Sequence, residues 1–184
     1  MTPRIVGRMT IDHIEIKAGI VARQQAASLL NAVWPPDVVA KLPRNDVVCA
    51  NPDQRLLAFN SDNEIICHVG IVLRDAIWDG RRVKIGGIGG VATREDIRRR
   101  GAASAAMRRA IQEIRDTYKA DFGLLFCQPS NASLYRGLGW HPFKGDVLIM
   151  QPRGHVRFDA GDSYVFDLKI TPRTGVLDLC GLPW

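Results

Sequence analysis

Short segments of alternating or continuous apolar residues recur along the chain, and each is typical of a β-strand. Asp79-Gly80 lies between two of them and indicates a tight hairpin turn. The predicted strands cover residues 11–17, 55–60, 65–78, 82–93, 122–127, 147–151 and 164–168. Because helical segments are interspersed with these strands, the pattern predicts a structure that mixes both kinds of element.

Two longer segments have their apolar residues at the spacing of an α-helix. The first covers 21–34 and ends at Pro35-Pro36, which cannot continue a helix. The second covers 98–118. A shorter helix is predicted to follow Ser130, a plausible N-cap residue. Residues 37–52 are polar and irregular, and their pattern predicts no regular element.

The junction between the strand over 82–93 and the helix after it carries the most informative chemistry. Helix starts leave backbone N–H groups unpaired and carry the positive end of the helix dipole, so they bind anions well. A glycine there lets a ligand approach the backbone closely, and small neighbours leave room. The junction therefore predicts a pyrophosphate site built from Arg98, Arg99, Arg100, Gly101, Ala102 and Ala103, reached from the strand end Val91, Ala92 and Thr93. A solvated surface charge is the alternative interpretation of Arg100.

The strand over 82–93 is also unusually rich in glycine, with Gly86, Gly87, Gly89 and Gly90. Glycine inside a strand usually marks a bulge or a place where another backbone or a ligand comes close. A merely weak strand is the alternative interpretation, but this strand leads directly into the predicted anion site, so we expect a bulge or a close approach here.

Two motifs in this order resemble the GCN5-related N-acetyltransferase (GNAT) superfamily. Arg98-x-x-Gly101-x-Ala103 is similar to its acyl-CoA-binding motif, Arg/Gln-x-x-Gly-x-Gly/Ala. Leu134-Tyr135-Arg136-Gly137-Leu138-Gly139-Trp140 resembles its Leu-Tyr-x-x-x-Gly-Phe segment, with Trp in place of Phe. The resemblance implies one α+β domain over residues 1–184. Its mixed, mostly antiparallel sheet would have about six to seven strands flanked by helices, with the fourth and fifth strands splayed.

The resemblance also implies the reaction, which is transfer of an acetyl group from acetyl-CoA to an amine by direct attack in a ternary complex. Val91 and Thr93 would pair with the pantetheine amides, and residues 98–103 would hold the pyrophosphate. The backbone N–H of Val91 or Ala92 could stabilise the oxyanion. Tyr135 is the candidate general acid, because a phenol ionises at about pH 10 and can donate a proton to the departing thiolate at neutral pH.

The general base is left open by the sequence. His68, Asp46, Asp37 and Glu95 are candidates, acting directly or through water. His68 lies inside an apolar strand, so a packed, hydrogen-bonded core histidine is the alternative interpretation of that residue. A chain of water molecules could also remove the amine proton without a strong base.

A narrower resemblance is to the aminoglycoside 2'-N-acetyltransferases, in the segment 65–93, in Leu134-Tyr135 and at the end of the chain. It implies acceptor contacts from Asp46, Asp162 and Trp184, whose free carboxylate would reach the pocket. The family carries Glu where this chain has Gly89, and an acidic residue where this chain has Leu182-Pro183. Because aminoglycosides are polycations, both differences weaken that substrate assignment. The rhizobial nodulation acyltransferases, which acylate a sugar amine, are a weaker alternative relative.

Composition adds little to these expectations. The 184 residues carry a formal net charge of +6, which suits an anionic ligand, but the basic residues lack the aromatic interleaving of a nucleic-acid surface. The cysteines form no C-x-x-C pair, and we expect neither a metal nor disulfides. No segment suggests a membrane span, so the predicted location is cytoplasmic. A homodimer, a longer acyl donor, a peptide amine and a CoA-binding sensor without catalysis stay open.

Overall fold

A computed structural model describes residues 11–42 and 46–184. Its strands are β1 His13–Ala18, β2 Gln54–Phe59, β3 Ile65–Trp78, β4 Arg81–Thr93, β5 Phe122–Cys127, β6 Trp140–Pro142, β7 Asp146–Gln151, β8 Gly154–Arg157, β9 Asp162–Asp167 and β10 Val176–Asp178. Its α-helices are α1 Gly19–Val33, α2 Pro36–Val39, α3 Ala102–Asp116 and α4 Ala132–Gly137. Short 3₁₀ turns cover Glu95–Ile97 and Pro129–Asn131.

The α+β class and all the predicted strands are confirmed, with four differences in detail. Helix α2 lies mostly within the segment 37–52, where four residues are too few to show a helical pattern. The short strands β6, β8 and β10 bring the sheet to ten strands, above the expected six or seven, because three or four residues are too few to show an alternation. Helix α3 begins at Ala102, so Arg98–Arg100 precede it. Ser130 lies within a 3₁₀ turn, and the N-cap position of α4 is Asn131.

All the strands in the described residues belong to one mixed sheet. Its main path runs β6-β9-β5-β4-β3-β10-β7-β8, and β2 and β1 extend from β3. Pairs are antiparallel except β4 with β5 and β10 with β7. Asp79 and Gly80 both have positive φ, 45° and 79°, which forms the tight turn predicted between β3 and β4.

Strands β4 and β5 separate partway along their length. They pair from Ile85 opposite Phe122 to Ile88 opposite Leu125, and beyond that point neither strand pairs with the other. β4 nevertheless continues to Thr93. The expected splay is therefore confirmed, and it leaves one edge of the last part of β4 without a strand partner.

A β-bulge interrupts β4 where it leaves β5. His68 of β3 lies opposite Ala92, but Gly70 lies opposite Gly89, so β4 has one more residue than β3 between these pairs. Gly90 has φ 57°, a left-handed conformation that favours glycine. The bulge changes the direction of the backbone just before Val91.

Two of the glycines let neighbouring elements pack directly on β4, one on each face. A Cβ on Gly86 would overlap the side chain of Ile114, which belongs to the buried apolar side of α3. A Cβ on Gly87 would overlap the indole ring of Trp184 on the other face. The sequence predicted a bulge or the approach of a backbone or a ligand; the bulge lies at Gly90, whereas at Gly86 and Gly87 side chains come close.

Replacing Gly86 with alanine should destabilise the protein, since Ile114 is almost fully buried and has no free space to move into. We expect Gly86→Ala to lower the free energy of unfolding in urea by about 1–3 kcal/mol, the usual effect of overpacking a core. Gly137→Ala is the control, because a Cβ on this last residue of α4 would meet nothing within 4 Å. Equal stability of the two variants would contradict this packing.

Candidate active site

A cavity of about 630 Å³ lies where the bulged end of β4 meets the start of α3. Its walls come from the end of β4, the loop before α3, the segment that leads into α4, and the end of α1. The lining residues are Val33, Trp34, Val91, Thr93, Ile97, Arg98, Arg99, Gly101, Ala102, Ala103, Ser104, Ser130, Asn131, Ser133, Leu134 and Tyr135. Most of the predicted acyl-CoA residues therefore meet in one cavity.

Strand β4 contributes alternate residues to this cavity. Val91 and Thr93 line it, whereas Ala92 between them is only 1 % exposed and is not a lining residue. This is the alternation expected of a strand, with successive side chains on opposite faces. Because β5 has already separated from β4, the edge of β4 at these residues faces the cavity rather than another strand.

The loop before α3 forms the opposite end of the cavity. Arg99 and Gly101 have positive φ, 63° and 89°, and a Cβ on Gly101 would meet nothing within 4 Å. Successive N–H groups in a turn with left-handed residues form a concave anion site, and the N-terminus of α3 follows directly. No side chain at the N-cap position occupies this helix start.

The three consecutive arginines lie in different surroundings. Arg98 and Arg99 line the cavity, and Arg98 Nε also donates to the Thr93 carbonyl at 3.3 Å, which ties the loop to β4. Arg100 is not a lining residue, and its charge helps to lower the pKa of Asp96, after the larger effects of Arg94. Arg100 is therefore placed as a surface charge, the alternative that its sequence position left open.

Tyr135 is a buried residue of the cavity wall. It lies on α4, is 8 % exposed, and lines the same cavity as Val91. Val33 and Trp34 also line the cavity, and neither was predicted from the sequence. Their position at the end of α1, beside Pro35-Pro36, gave no indication that this end of the helix lies at the cavity.

His68 lies on β3, next to the bulge of β4, and is buried. Both of its ring nitrogens contact protein groups. Nδ1 lies 2.6 Å from the Gly90 carbonyl oxygen, and Nε2 lies 2.9 Å from a guanidinium nitrogen of Arg55. Arg55 Nε in turn donates to the Gly19 carbonyl at 3.1 Å. Burial is the main cause that lowers the pKa of His68, to about 4; the contact with Gly90 raises it and Arg55 lowers it further.

The other predicted acid–base and acceptor residues lie outside this cavity. Asp46 borders a groove of about 400 Å³ against β7 and β8, together with Arg157 and Asp159. Asp162 is exposed at the start of β9, opposite Cys127, and does not line that groove. Asp37 and Glu95 are exposed on α2 and on the 3₁₀ turn before α3. The structure does not bring these four carboxylates together.

Trp184 lies on the face of β4 opposite α3. Its indole Nε1 donates to the Ile88 carbonyl at 3.2 Å, and its ring centroid lies 5.5 Å from that of Phe126. A Cβ on Gly89 would lie 3.0 Å from its Cδ1 atom. The main-chain carbon of Trp184 lies 3.4 Å from the same Cβ position. The ring and the main chain of Trp184 therefore lie against the position where the aminoglycoside family carries Glu, so packing accounts for Gly89.

The described part of the chain contains no group of three or more His, Cys, Asp or Glu residues placed to hold a metal ion. None of its helices combines the length and the apolar character needed to cross a membrane.

Comparison with known proteins places this arrangement in a family. Residues 22–143, more than half of the chain, match the family model described as an acetyltransferase (GNAT) domain. An aminoglycoside 2'-N-acetyltransferase from Mycolicibacterium fortuitum is 30% identical over 106 residues, which are 58% of this chain. The match spans about half of that relative, 53% of its length.

Solved structures share the fold at lower sequence identity. A GNAT family N-acetyltransferase from Escherichia coli, crystallised with CoA, has a TM-score of 0.60 at 18% identity and covers 91% of this chain and 88% of its own. A GNAT family acetyltransferase from Brucella melitensis, in complex with acetyl-CoA, has a TM-score of 0.55 at 13% identity, over 90% and 94% of the two chains. On the family match, together with the split strands and the two motifs, this chain belongs to the GNAT acetyltransferase family.

Proposed function

We propose that the protein transfers an acetyl group from acetyl-CoA to a primary amine of a small molecule, by direct attack in a ternary complex. The observation that carries this proposal is the single cavity that joins the free edge of β4 to the loop before α3. A strand edge can bind an extended amide chain, and the loop can bind an anion. Acetyl-CoA has both features, in its pantetheine arm and its pyrophosphate.

The residues present fit such a co-substrate. At one end, Gly101 is open where a side chain would otherwise stand over the loop, and Arg98 and Arg99 provide positive charge. At the other end, Val91 and Thr93 present the unpaired edge of β4 to the pantetheine amides. The relatives from E. coli and B. melitensis were crystallised with CoA and acetyl-CoA, which supports the same donor here.

Two groups of this chain would carry the chemistry. The backbone N–H of Val91 follows the bulge and would donate to the acyl carbonyl oxygen as negative charge develops there. Tyr135, which lines the same cavity, would donate its proton to the leaving sulfur. The two groups line one cavity, so both can act on one acyl group. His68 already contacts two protein groups, and we assign removal of the amine proton to water.

A small amine, such as an amino sugar or an aminoglycoside, is the acceptor that we propose. The relative from M. fortuitum is an aminoglycoside 2'-N-acetyltransferase, which supports this class. A polycationic acceptor needs nearby carboxylates, and Asp46 and Asp162 are the candidates that the resemblance implies. Because Trp184 covers Gly89 and no acid stands at Leu182-Pro183, we expect an acceptor with fewer positive charges than an aminoglycoside. A cytoplasmic location and a homodimer stay predictions.

Thiol release from acetyl-CoA should depend on an added amine, in a panel of aminoglycosides with and without a 2'-amine, amino sugars, polyamines and peptides. With the best acceptor, Tyr135→Phe should lower kcat by about 10²-fold or more, the usual effect of a general acid. Binding of acetyl-CoA, measured by calorimetry, should change little. Tyr118→Phe is the matched control, since Tyr118 lines a different cavity, and it should keep full activity.

Each other outcome has a definite meaning. Unchanged turnover in Tyr135→Phe would remove its role as the acid. Turnover confined to 2'-amino compounds would favour the narrower aminoglycoside function, and turnover on peptides would replace the acceptor. Tight acetyl-CoA binding with no turnover on any amine would favour a sensor over an enzyme.

The neighbouring arginines provide a matched test of the anion site. Arg99→Gln should weaken CoA binding by about 3- to 10-fold at low salt, because Arg99 lines the cavity. Arg100→Gln removes the same charge from a residue outside the lining and should change the Kd by less than about 2-fold. Equal weakening by both variants would show a general effect of net charge and would contradict the proposed site.

A further inference from the structure

Two buried side chains, joined by three hydrogen-bond contacts, connect the start of α1 to the bulge of β4. Arg55 on β2 and His68 on β3 are 6 % and 1 % exposed. Arg55 donates to the Gly19 carbonyl, a guanidinium nitrogen of Arg55 contacts His68 Nε2, and His68 Nδ1 contacts the Gly90 carbonyl. The series ends at the peptide unit whose N–H, that of Val91, the proposed reaction uses.

The contact with Arg55 fixes which ring nitrogen of His68 carries the proton. A guanidinium group can only donate hydrogen bonds, so Nε2 must accept and therefore has no proton. A neutral imidazole then has its proton on Nδ1, which donates to the Gly90 carbonyl at 2.6 Å. Besides burial, which is the main cause that lowers the pKa of His68, the charge of Arg55 disfavours a second proton on the ring. Arg23 in turn acts on Arg55, whose pKa it lowers after the larger effect of burial.

The hydrogen bond to Gly90 also fixes the direction of the next N–H group. The Gly90 carbonyl and the Val91 N–H belong to one planar, trans peptide unit, in which they point in opposite directions. Gly90 is left-handed at the bulge and could otherwise rotate this peptide, since it has no side chain to restrain it. The ring itself lies close against Gly90, because a Cβ there would be 3.4 Å from His68 Cε1.

We propose that His68, oriented by Arg55, is a positioning residue that holds the Gly90–Val91 peptide so that the Val91 N–H faces the acyl carbonyl. This inference rests on the proposed function, in which that N–H stabilises the oxyanion. It gives His68 a role that needs no proton transfer. It also explains why an arginine is buried beside a histidine, since this arginine selects the tautomer that donates to Gly90.

Two substitutions at His68 separate positioning from proton transfer. Asn can still donate from near the position of Nδ1, whereas Leu fills similar space without a donor. We expect His68→Leu to lower kcat by about 10-fold or more, with the KM for acetyl-CoA within about 3-fold of wild type. His68→Asn should recover most of the loss. The pH–rate profiles of both variants should keep the shape of the wild-type profile.

Other outcomes of this experiment would overturn the proposal. A base at His68 predicts equal losses for Asn and Leu and loss of one limb of the pH–rate profile, because neither residue can take up the proton. A purely structural role predicts that Leu keeps its kcat and only lowers the melting temperature.

A second measurement on the wild-type protein needs neither a variant nor turnover. In ¹⁵N-histidine NMR spectra, His68 should have its proton on Nδ1 and an unprotonated Nε2 throughout pH 5–8. A proton on Nε2, or a titration midpoint at about 6.5 as in a free histidine, would overturn the proposal. If the wild type acetylates no amine in the panel, the proposed function fails by itself, while these spectra still decide whether His68 holds Gly90.

Discussion

The separation of β4 from β5 after Ile88 is the constraint on which the rest of this site depends. A strand inside a sheet uses its N–H and C=O groups on both sides, and it has none left for a ligand. Because β5 no longer pairs with it, the last part of β4 has one edge whose backbone groups no strand uses. The bulge at Gly90 then sets the direction in which those groups point.

Packing on both faces holds β4 in this position. Helix α3 lies against Gly86 on one face, and Trp184 lies against Gly87 and Gly89 on the other. The strand therefore has no side chains at the positions where bulky neighbours pack on it. Behind the bulge, His68 and Arg55 extend the support to β2 and to the start of α1. The loop before α3 is tied to the end of β4 by Arg98. The two parts of the proposed site, the end of β4 and the loop before α3, are therefore both held by contacts with β4.

Local patterns in the sequence were sufficient for most of the fold and for the anion site. Asp79-Gly80 predicted its hairpin, the glycines of β4 predicted close packing, and Gly101 marked the loop before α3. These features depend on residues that are close together in the sequence, so they can be recognised from a single sequence. Long-range contacts were not accessible in this way. Nothing around Trp34 indicates that it lies beside the cavity, and nothing in an apolar strand shows that His68 faces a carbonyl at a bulge.

The residues predicted to bind the acceptor also depend on long-range contacts, which the sequence does not show. Asp46 and Asp162 were selected through a resemblance, and the structure places them apart, because their positions depend on how β7, β8 and β9 follow one another in the sheet. In the sequence, Gly89 stands where the aminoglycoside family carries Glu, and it was interpreted as the loss of an acidic residue. In the structure it is the space that a tryptophan ring needs, which is a packing requirement from the far end of the chain.

The most direct test of this account is a crystal structure of the protein with acetyl-CoA. The pyrophosphate should lie at the loop that contains Arg99 and Gly101, and the acetyl carbonyl oxygen should lie about 3 Å from the backbone nitrogen of Val91. The Gly90 carbonyl should still be bonded to His68. An acetyl group bound away from the β4–β5 split, or a Val91 N–H turned away from it, would contradict the account.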